Sequence, residues 1–289
     1  MREKVKLCGS VFILAAFIPW LLTVYLRGGS LFLHESETDG QVEEQVAAVL
    51  ASEIPADYEM ECLKAQAVIA RTNICREGSE AETGWTEADM REAWGDSYEQ
   101  NLEKMRTAVS ETEGEVLTFD GTLILAAYHT AANEKTRNAA EIPGQEEYVY
   151  LQSVPSTEDI LADGFLCVEY MEKEAFAAAV AELFSGEEMD AEALPGALVI
   201  AKRDSADYVT QVQYGSTVVN GEAVRTALGL RSACFYFSEL EGKIRIVTKG
   251  IGHGLGFSQY GAQQLAGQGF SYKELLEYYY SDIVIEKTE

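Results

Sequence analysis

Four glycines at alternate positions, 250, 252, 254 and 256, surround His253 and run directly into Ser258-Gln259-Tyr260-Gly261-Ala262. Glycine at every second place frees the backbone for φ > 0 and lets other groups approach it closely. The stretch is therefore suited to presenting one imidazole and a row of polar side chains. Taken alone it is equally a glycine turn entering a helix, with His253 satisfied in the core. Segments far upstream decide between these readings.

The N-terminus divides the chain. Arg2, Lys4 and Lys6 precede an uncharged run from Leu7 to Leu26. About twenty apolar residues suffice for one membrane-spanning helix, and basic residues before it keep the short tail cytoplasmic. The run is long for a signal peptide, and the Leu-Arg-Gly-Gly-Ser that follows is a poor cleavage site, which favours an uncleaved anchor. Residues 1–6 then form a cytoplasmic tail, 7–26 the anchor and 27–41 a polar tether. Residues 42–289 then form an extracytoplasmic folded region that can divide into two lobes.

The exported part is strongly acidic. The chain carries 48 Asp and Glu against 22 Lys and Arg, and only Glu3 of the acids lies before residue 28. Such a balance argues against nucleic acid and against electrostatic capture of anionic lipid. Five cysteines and three scattered histidines offer no metal-binding spacing, so neither metal nor cofactor is expected. Cys167 with Cys234 is the one pairing that could form a disulfide.

Periodicity predicts helices over 43–53, 57–76, 87–112, 172–186 and 271–280, and strands over 115–119, 122–128, 197–201, 207–213 and 244–249. Asp120-Gly121 predicts a hairpin turn and Asn220-Gly221 a second turn signal, followed by a helical pattern at 224–230. The mixture indicates an α+β fold, with antiparallel strands and helices enclosing a cleft. The acidic stretch 173–194 is an inserted helix or a boundary between lobes. In the 57–76 helix, Asp57 is the expected N-cap. Leu63, Ala67, Ala70 and Ile74 share the core side, while Glu61, Lys64, Ala65, Val68 and Thr72 face water or a cleft.

Three segments together resemble the family of stage II sporulation protein D, which includes amidase-enhancer-like proteins. The first is Ala51-Ser-Glu-Ile-Pro-Ala-Asp57 continuing through Glu61-Cys-Leu-Lys-Ala-Gln-Ala-Val-Ile-Ala-Arg71-Thr72. The second is Tyr128-His-Thr-Ala-Ala-Asn-Glu-Lys-Thr136. The third runs from Gly250 to Tyr280. A weaker match covers Val219–Ser232. Asn133-Glu134 stands where the family has Gly-Gly, and Cys62 where Ala is usual. Some relatives carry a zinc cluster after the first helix, but residues 77–100 contain neither His nor Cys.

The resemblance implies a membrane-anchored lytic transglycosylase acting on peptidoglycan glycan strands during engulfment in sporulation, with a preference for strands stripped of peptides. Its expected partners are a cell-wall amidase and a membrane scaffold. Cleavage without water needs a single carboxyl that first protonates the leaving oxygen and then accepts the proton of the muramic 6-hydroxyl. Glu61 is the first candidate for that group and Glu53 the alternative. Lys64 and Gln66 would orient the carboxylate or bind the N-acetyl group, and His129, Thr130, His253, Ser258, Gln259 and Tyr260 would line the sugar groove. Arg71 belongs to the same set or braces the helix through a buried ion pair. Two rival functions remain: a non-catalytic glycan-binding protein that stimulates an N-acetylmuramoyl-L-alanine amidase, and a Cys-His hydrolase using Cys62 and His253.

Overall fold

The computed structural model describes residues 40–288. The apolar run at 7–26 and most of the tether lie outside them. Among the described residues no helix is long and apolar enough to cross a membrane. The chain has two compact units, divided after Gln45. Residues 40–45 are helical and end the first.

The second unit opens with α1, residues 46–53. Pro55, which cannot continue a helix, follows at once. Next come α2 (Met60–Glu77), α3 (Glu87–Trp94) and α4 (Tyr98–Glu111). They are followed by β1 (Glu115–Phe119), β2 (Thr122–Leu123) and β3 (Tyr128–His129). A second group comprises β4 (Leu166–Glu172), α5 (Lys173–Val180), β5 (Val199–Arg203), β6 (Val209–Tyr214), β7 (Thr217–Val219) and α6 (Gly221–Ala227). The chain closes with β8 (Phe235–Leu240), β9 (Lys243–Lys249), β10 (Phe257–Ser258), α7 (Gln259–Gly267), α8 (Tyr272–Tyr279) and β11 (Val284–Lys287). Small antiparallel sheets (β11-β1-β2, β4-β9-β8 and β5-β6-β7) and one parallel pair, β10-β3, make an α+β fold.

The central element is α2. It begins at Met60 rather than beside the expected cap Asp57, and Glu59 occupies the N-cap position. Both of its sides are covered. Leu63, Ala67 and Ile74 are buried as the periodicity requires, and so are Ala65, Val68 and Thr72 on the side expected to face water or a cleft. The small residues let α4, β1, α7 and α8 all pack against it. A helix surrounded by protein needs no polar face.

The predicted single helix over 87–112 is two. Gly95 takes φ 50° and ends α3, which is itself opened by a capping box between Thr86 and Asp89. The predicted strand over 122–128 survives only at its ends, in β2 and β3. The turn signal at Asn220 opens the expected helix, which runs over Gly221–Ala227 rather than 224–230: the Asn220 side chain accepts the Ala223 N–H and caps α6. The stretch 173–194 packs Phe176, Val180, Phe184 and Leu194 into one core with Tyr208, Val212, Phe235 and Ile246. Burying each such side chain is worth about 1.5–3 kcal/mol.

The proposed disulfide does not form, and Cys167 and Cys234 are free thiols. Cys167 pairs with Thr248 of β9, which in turn pairs with Phe235. A whole strand therefore separates the two, roughly 10 Å of sheet where a disulfide needs Cα atoms within about 7 Å.

Candidate active-site cleft

Glu53 is the last residue of α1, half-buried at the edge of a cleft of about 570 Å³. The cleft is also lined by Asn73, Tyr128, Arg137, Glu222 and His253. The segments that form it are distant in sequence, and glutamine side chains join them. Gln259 Nε2 donates to the Glu53 carbonyl at 2.9 Å and lies 3.4 Å from Gln66 Oε1. The first and third motifs thus meet behind Glu53. The second motif joins through β3, whose Tyr128 and His129 pair with Phe257 and Ser258 of β10.

The glycine run makes this approach possible. At Gly252 (φ +104°) a Cβ would sit 2.7 Å from the His129 Cβ, and at Gly256 (φ +66°) one would sit 2.2 Å from the Ala127 carbonyl oxygen. A side chain at either position would push the third motif away from the second.

The Glu53 carboxyl is held above the ordinary glutamate range. Burial is the main cause; a hydrogen bond from the Tyr128 hydroxyl opposes it, and the Glu82 carboxyl adds to it. Glu61 behaves in the opposite way. Burial works to raise it, but the Lys64 ammonium at 2.7 Å and the Tyr272 N–H at 2.8 Å outweigh that and leave it lowered. Lys64 also reaches Glu111. Glu61 is not among the residues lining the cleft.

Both histidines are held neutral. Burial and the neighbouring His253 push His129 down to about 3, and burial pushes His253 down to about 4. Their rings lie 5.7 Å apart. His129 Nδ1 faces the Leu255 carbonyl at 3.0 Å and so carries the proton. His253 Nδ1 accepts the Leu255 N–H at 3.1 Å, so its proton is on Nε2.

Several predicted groove residues serve the scaffold. Arg71 is buried and donates to the Glu115 and Val109 carbonyls. Gln66, Ser258 and Gln259 are likewise buried. Ser258 caps α7 and donates to Asp159 at 2.8 Å. Thr130 accepts the Tyr260 N–H through its carbonyl, and both residues are half-buried. Cys62 is fully buried against the Gln259 carbonyl, and burial pushes its thiol up, the wrong direction for a thiolate nucleophile.

Sequence reasoning missed two charged residues. Arg137, one residue beyond the second motif, is buried and donates to Asp204 at 2.6 Å, Glu222 at 2.7 Å and the His253 carbonyl at 3.0 Å. Its guanidinium lies 4.7 Å from the Tyr208 ring centroid. Asp159 accepts the Ala132 N–H at 2.6 Å as well as the Ser258 hydroxyl, fastening the second motif to the third. Burial outweighs these bonds and lifts it to about 6. Neither residue has a local sequence signal; each acts through partners far away in the chain. Where the family has Gly-Gly, Glu134 keeps a glycine-like φ of 62° and Asn133 Nδ2 bonds the Ala206 carbonyl.

Comparison with known proteins identifies relatives along most of the chain. Residues 38–119 match the family model for SpoIID, stage II sporulation protein. Stage II sporulation protein D of Bacillus amyloliquefaciens is 32% identical over 265 residues, covering 86% of this chain and 75% of that protein. Its counterpart in Bacillus subtilis is 33% identical over the same shares. An amidase enhancer of Bacillus subtilis is 28% identical over 282 residues, covering 80% of this chain and 39% of that protein. With that identity sustained across most of both chains, this protein belongs to the stage II sporulation protein D family.

Proposed function

We propose that the protein is a membrane-anchored lytic transglycosylase that cleaves peptidoglycan glycan strands in sporulation, with Glu53 as its single acid/base. The supporting observation is a half-buried carboxyl with a raised proton affinity at the edge of a cleft large enough for sugar residues. Glu61, the first expectation, has a lowered proton affinity and an ammonium partner. That suits an anion better than an acid.

The chemistry balances without water. Glu53 gives its proton to the oxygen linking N-acetylmuramic acid to N-acetylglucosamine, and the C1–O bond breaks. The muramic 6-hydroxyl oxygen bonds to C1, and its proton returns to Glu53. The products are a 1,6-anhydro end and a free N-acetylglucosamine 4-hydroxyl. The second carboxylate used by hydrolytic glycosidases is not required, because the internal hydroxyl replaces water. Tyr128 orients the carboxyl. Anchored by residues 7–26, the catalytic region works outside the cytoplasmic membrane, beside an amidase and a membrane scaffold of the engulfment machinery, on peptide-stripped strands.

Similarity to an amidase enhancer favours one other reading, a glycan-binding protein that stimulates an amidase. Mass spectrometry of peptide-stripped strands digested by the full-length chain in detergent separates the two. Anhydromuramic ends from wild type and Glu61→Gln but not from Glu53→Gln support the proposal. Loss with Glu61→Gln alone returns the role to Glu61. Strands bound but uncut by wild type support the amidase partner.

A further inference from the structure

The two faces of the β4-β9-β8 sheet differ. Side chains alternate along a strand, so Met171, Ile244, Ile246, Phe235 and Phe237 share one face, and that face belongs to the core built on Phe176. The other face sets Leu166, Val168 and Tyr170 of β4 beside Lys249, Val247 and Arg245 of β9. Here the apolar side chains are uncovered: Leu166 is 59% exposed and Tyr170 54%. Five of the ten most exposed large apolar side chains among the described residues lie between Ile160 and Tyr170. Such clustering marks a surface that meets something.

The strand behind this apolar column is basic. Lys243, Arg245 and Lys249 all turn to the outer face of β9. Lys243 is used within the sheet, paired with Glu172 at 2.5 Å. Arg245 and Lys249 have no carboxylate partner among the described residues, in a chain where 48 acids face 22 bases. Arg231, exposed and 3.4 Å from the Gly164 carbonyl, adds a cation near the start of β4. Glu169 of β4 points to the opposite face. The outer face is therefore apolar along β4 and positive along β9, against the sign of the whole molecule.

The free edge of β4 narrows what can cover this surface. The strand pairs only with β9, runs seven residues in unbroken register, and has neither the Lys nor the Pro that commonly guards an edge. An open edge offers backbone N–H and C=O groups to an extended polypeptide, which a lipid surface cannot use as a ladder. A strand added there would lie about 10 Å from β9, two strand spacings away. Arg245 and Lys249 can meet carboxylates across that gap, over the shorter Leu166 and Val168. A second copy supplies no such acid through its own β4, because the outward Glu172 is already paired.

We propose that the free edge of β4 and the outer face of its sheet dock an extended acidic segment of another protein, with apolar side chains against Leu166, Val168 and Tyr170 and carboxylates on Arg245 and Lys249. None of these residues lines the cleft, so the proposal is independent of the acid/base reading of Glu53.

The test uses the full-length chain in phosphatidylcholine nanodiscs and two labelled peptides, Leu-Thr-Glu-Thr and Leu-Thr-Lys-Thr, each repeated three times. In an extended chain both place apolar and charged residues on one face and Thr on the other. Fluorescence anisotropy should show wild type binding the Glu peptide and not the Lys peptide, more weakly as salt rises. Reversing both cations, Arg245→Glu with Lys249→Glu, should weaken the Glu peptide by about tenfold and create binding of the Lys peptide. Tyr170→Asp, at an exposed position, should also abolish binding of the Glu peptide, whereas Lys202→Glu on exposed β5 should leave it unchanged. Equal binding of the two peptides, or none of the Glu peptide by wild type, overturns the proposal. Co-sedimentation with phosphatidylglycerol vesicles that Tyr170→Asp abolishes would assign the face to lipid instead. Self-association in sedimentation velocity that the same variant abolishes would assign it to a second copy. Either result also overturns the proposal.

Discussion

Arg137 offers the sharpest test of how the cleft is held together. Replacing it with Met keeps much of the side-chain volume and removes the charge. Asp204, whose side chain has no exposure, then loses its 2.6 Å partner. Breaking one side of a buried ion pair costs about 3–5 kcal/mol, because the remaining charge is left uncompensated. Here the lower end applies. Asp204 Oδ1 still accepts the Ala206 N–H at 3.1 Å and the Tyr208 N–H at 2.9 Å. Glu222 is one-third exposed and keeps Arg225 at 3.1 Å, so it adds only tenths of a kcal/mol. The expected loss is about 3 kcal/mol, or about 6–12 °C in Tm for a unit of this size. Urea denaturation of wild type, Arg137→Met, Asp204→Asn and the double variant measures it. A coupling of about 2 kcal/mol is expected, since the second substitution removes the charge the first exposed. A single-variant loss below about 1 kcal/mol, or simple additivity, would refute the reasoning.

Three further outcomes follow from the same geometry. Glu134→Gly should raise stability by about 0.5–1 kcal/mol, because Glu134 occupies a left-handed conformation that disfavours side chains; a lower urea midpoint would contradict this. Asp159 is raised to about 6 from the ordinary value of 3.8, so folding takes up its proton. Its contribution is complete below about pH 4 and is lost as pH rises through 6, a swing of about 3 kcal/mol. Asp159→Asn should flatten the pH dependence of stability across that window, and an unaltered slope would mean that other groups carry it. Glu61→Gln, which loses a partly exposed ion pair with Lys64, should cost less than about 1 kcal/mol by denaturation and leave glycan cleavage intact.

The sequence exposed what depends on local backbone chemistry. The glycine run around His253 folds as a close-approach loop because no side chain fits at Gly252 or Gly256. The apolar side of α2 is legible in its period, and the matching segments identify the regions that meet. The other side of α2 was misread because the pattern of one helix does not reveal what covers it. Arg137 and Asp159 were invisible for a related reason. Each is an ordinary charged residue in its own stretch and gains its role from a partner that only the tertiary fold brings near, such as Asp204 for Arg137. Ser258 and Gln259 show the converse. Their motif is conspicuous, yet the side chains are buried in joints between segments rather than displayed in the cleft.

One discriminating signal did lie in the sequence, in which helix end each candidate glutamate occupies. Glu61 is in the first turn of α2, where the positive end of the helix dipole stabilises an anion. Glu53 closes α1, where carbonyls lacking intrahelical partners make the environment negative and favour a proton. A group that must begin its cycle as an acid is therefore better served by the end of the first helix than by the start of the second. The surroundings reinforce the asymmetry: Lys64 and the Tyr272 N–H steady Glu61 as a carboxylate, whereas Glu82 works against ionisation of Glu53. The two glutamates stand eight positions apart, with Pro55 breaking the chain between their helices. Helix polarity and neighbouring charge set them apart, holding Glu53 toward its acid form and Glu61 toward the anion that accepts the Tyr272 N–H and joins α2 to the start of α8.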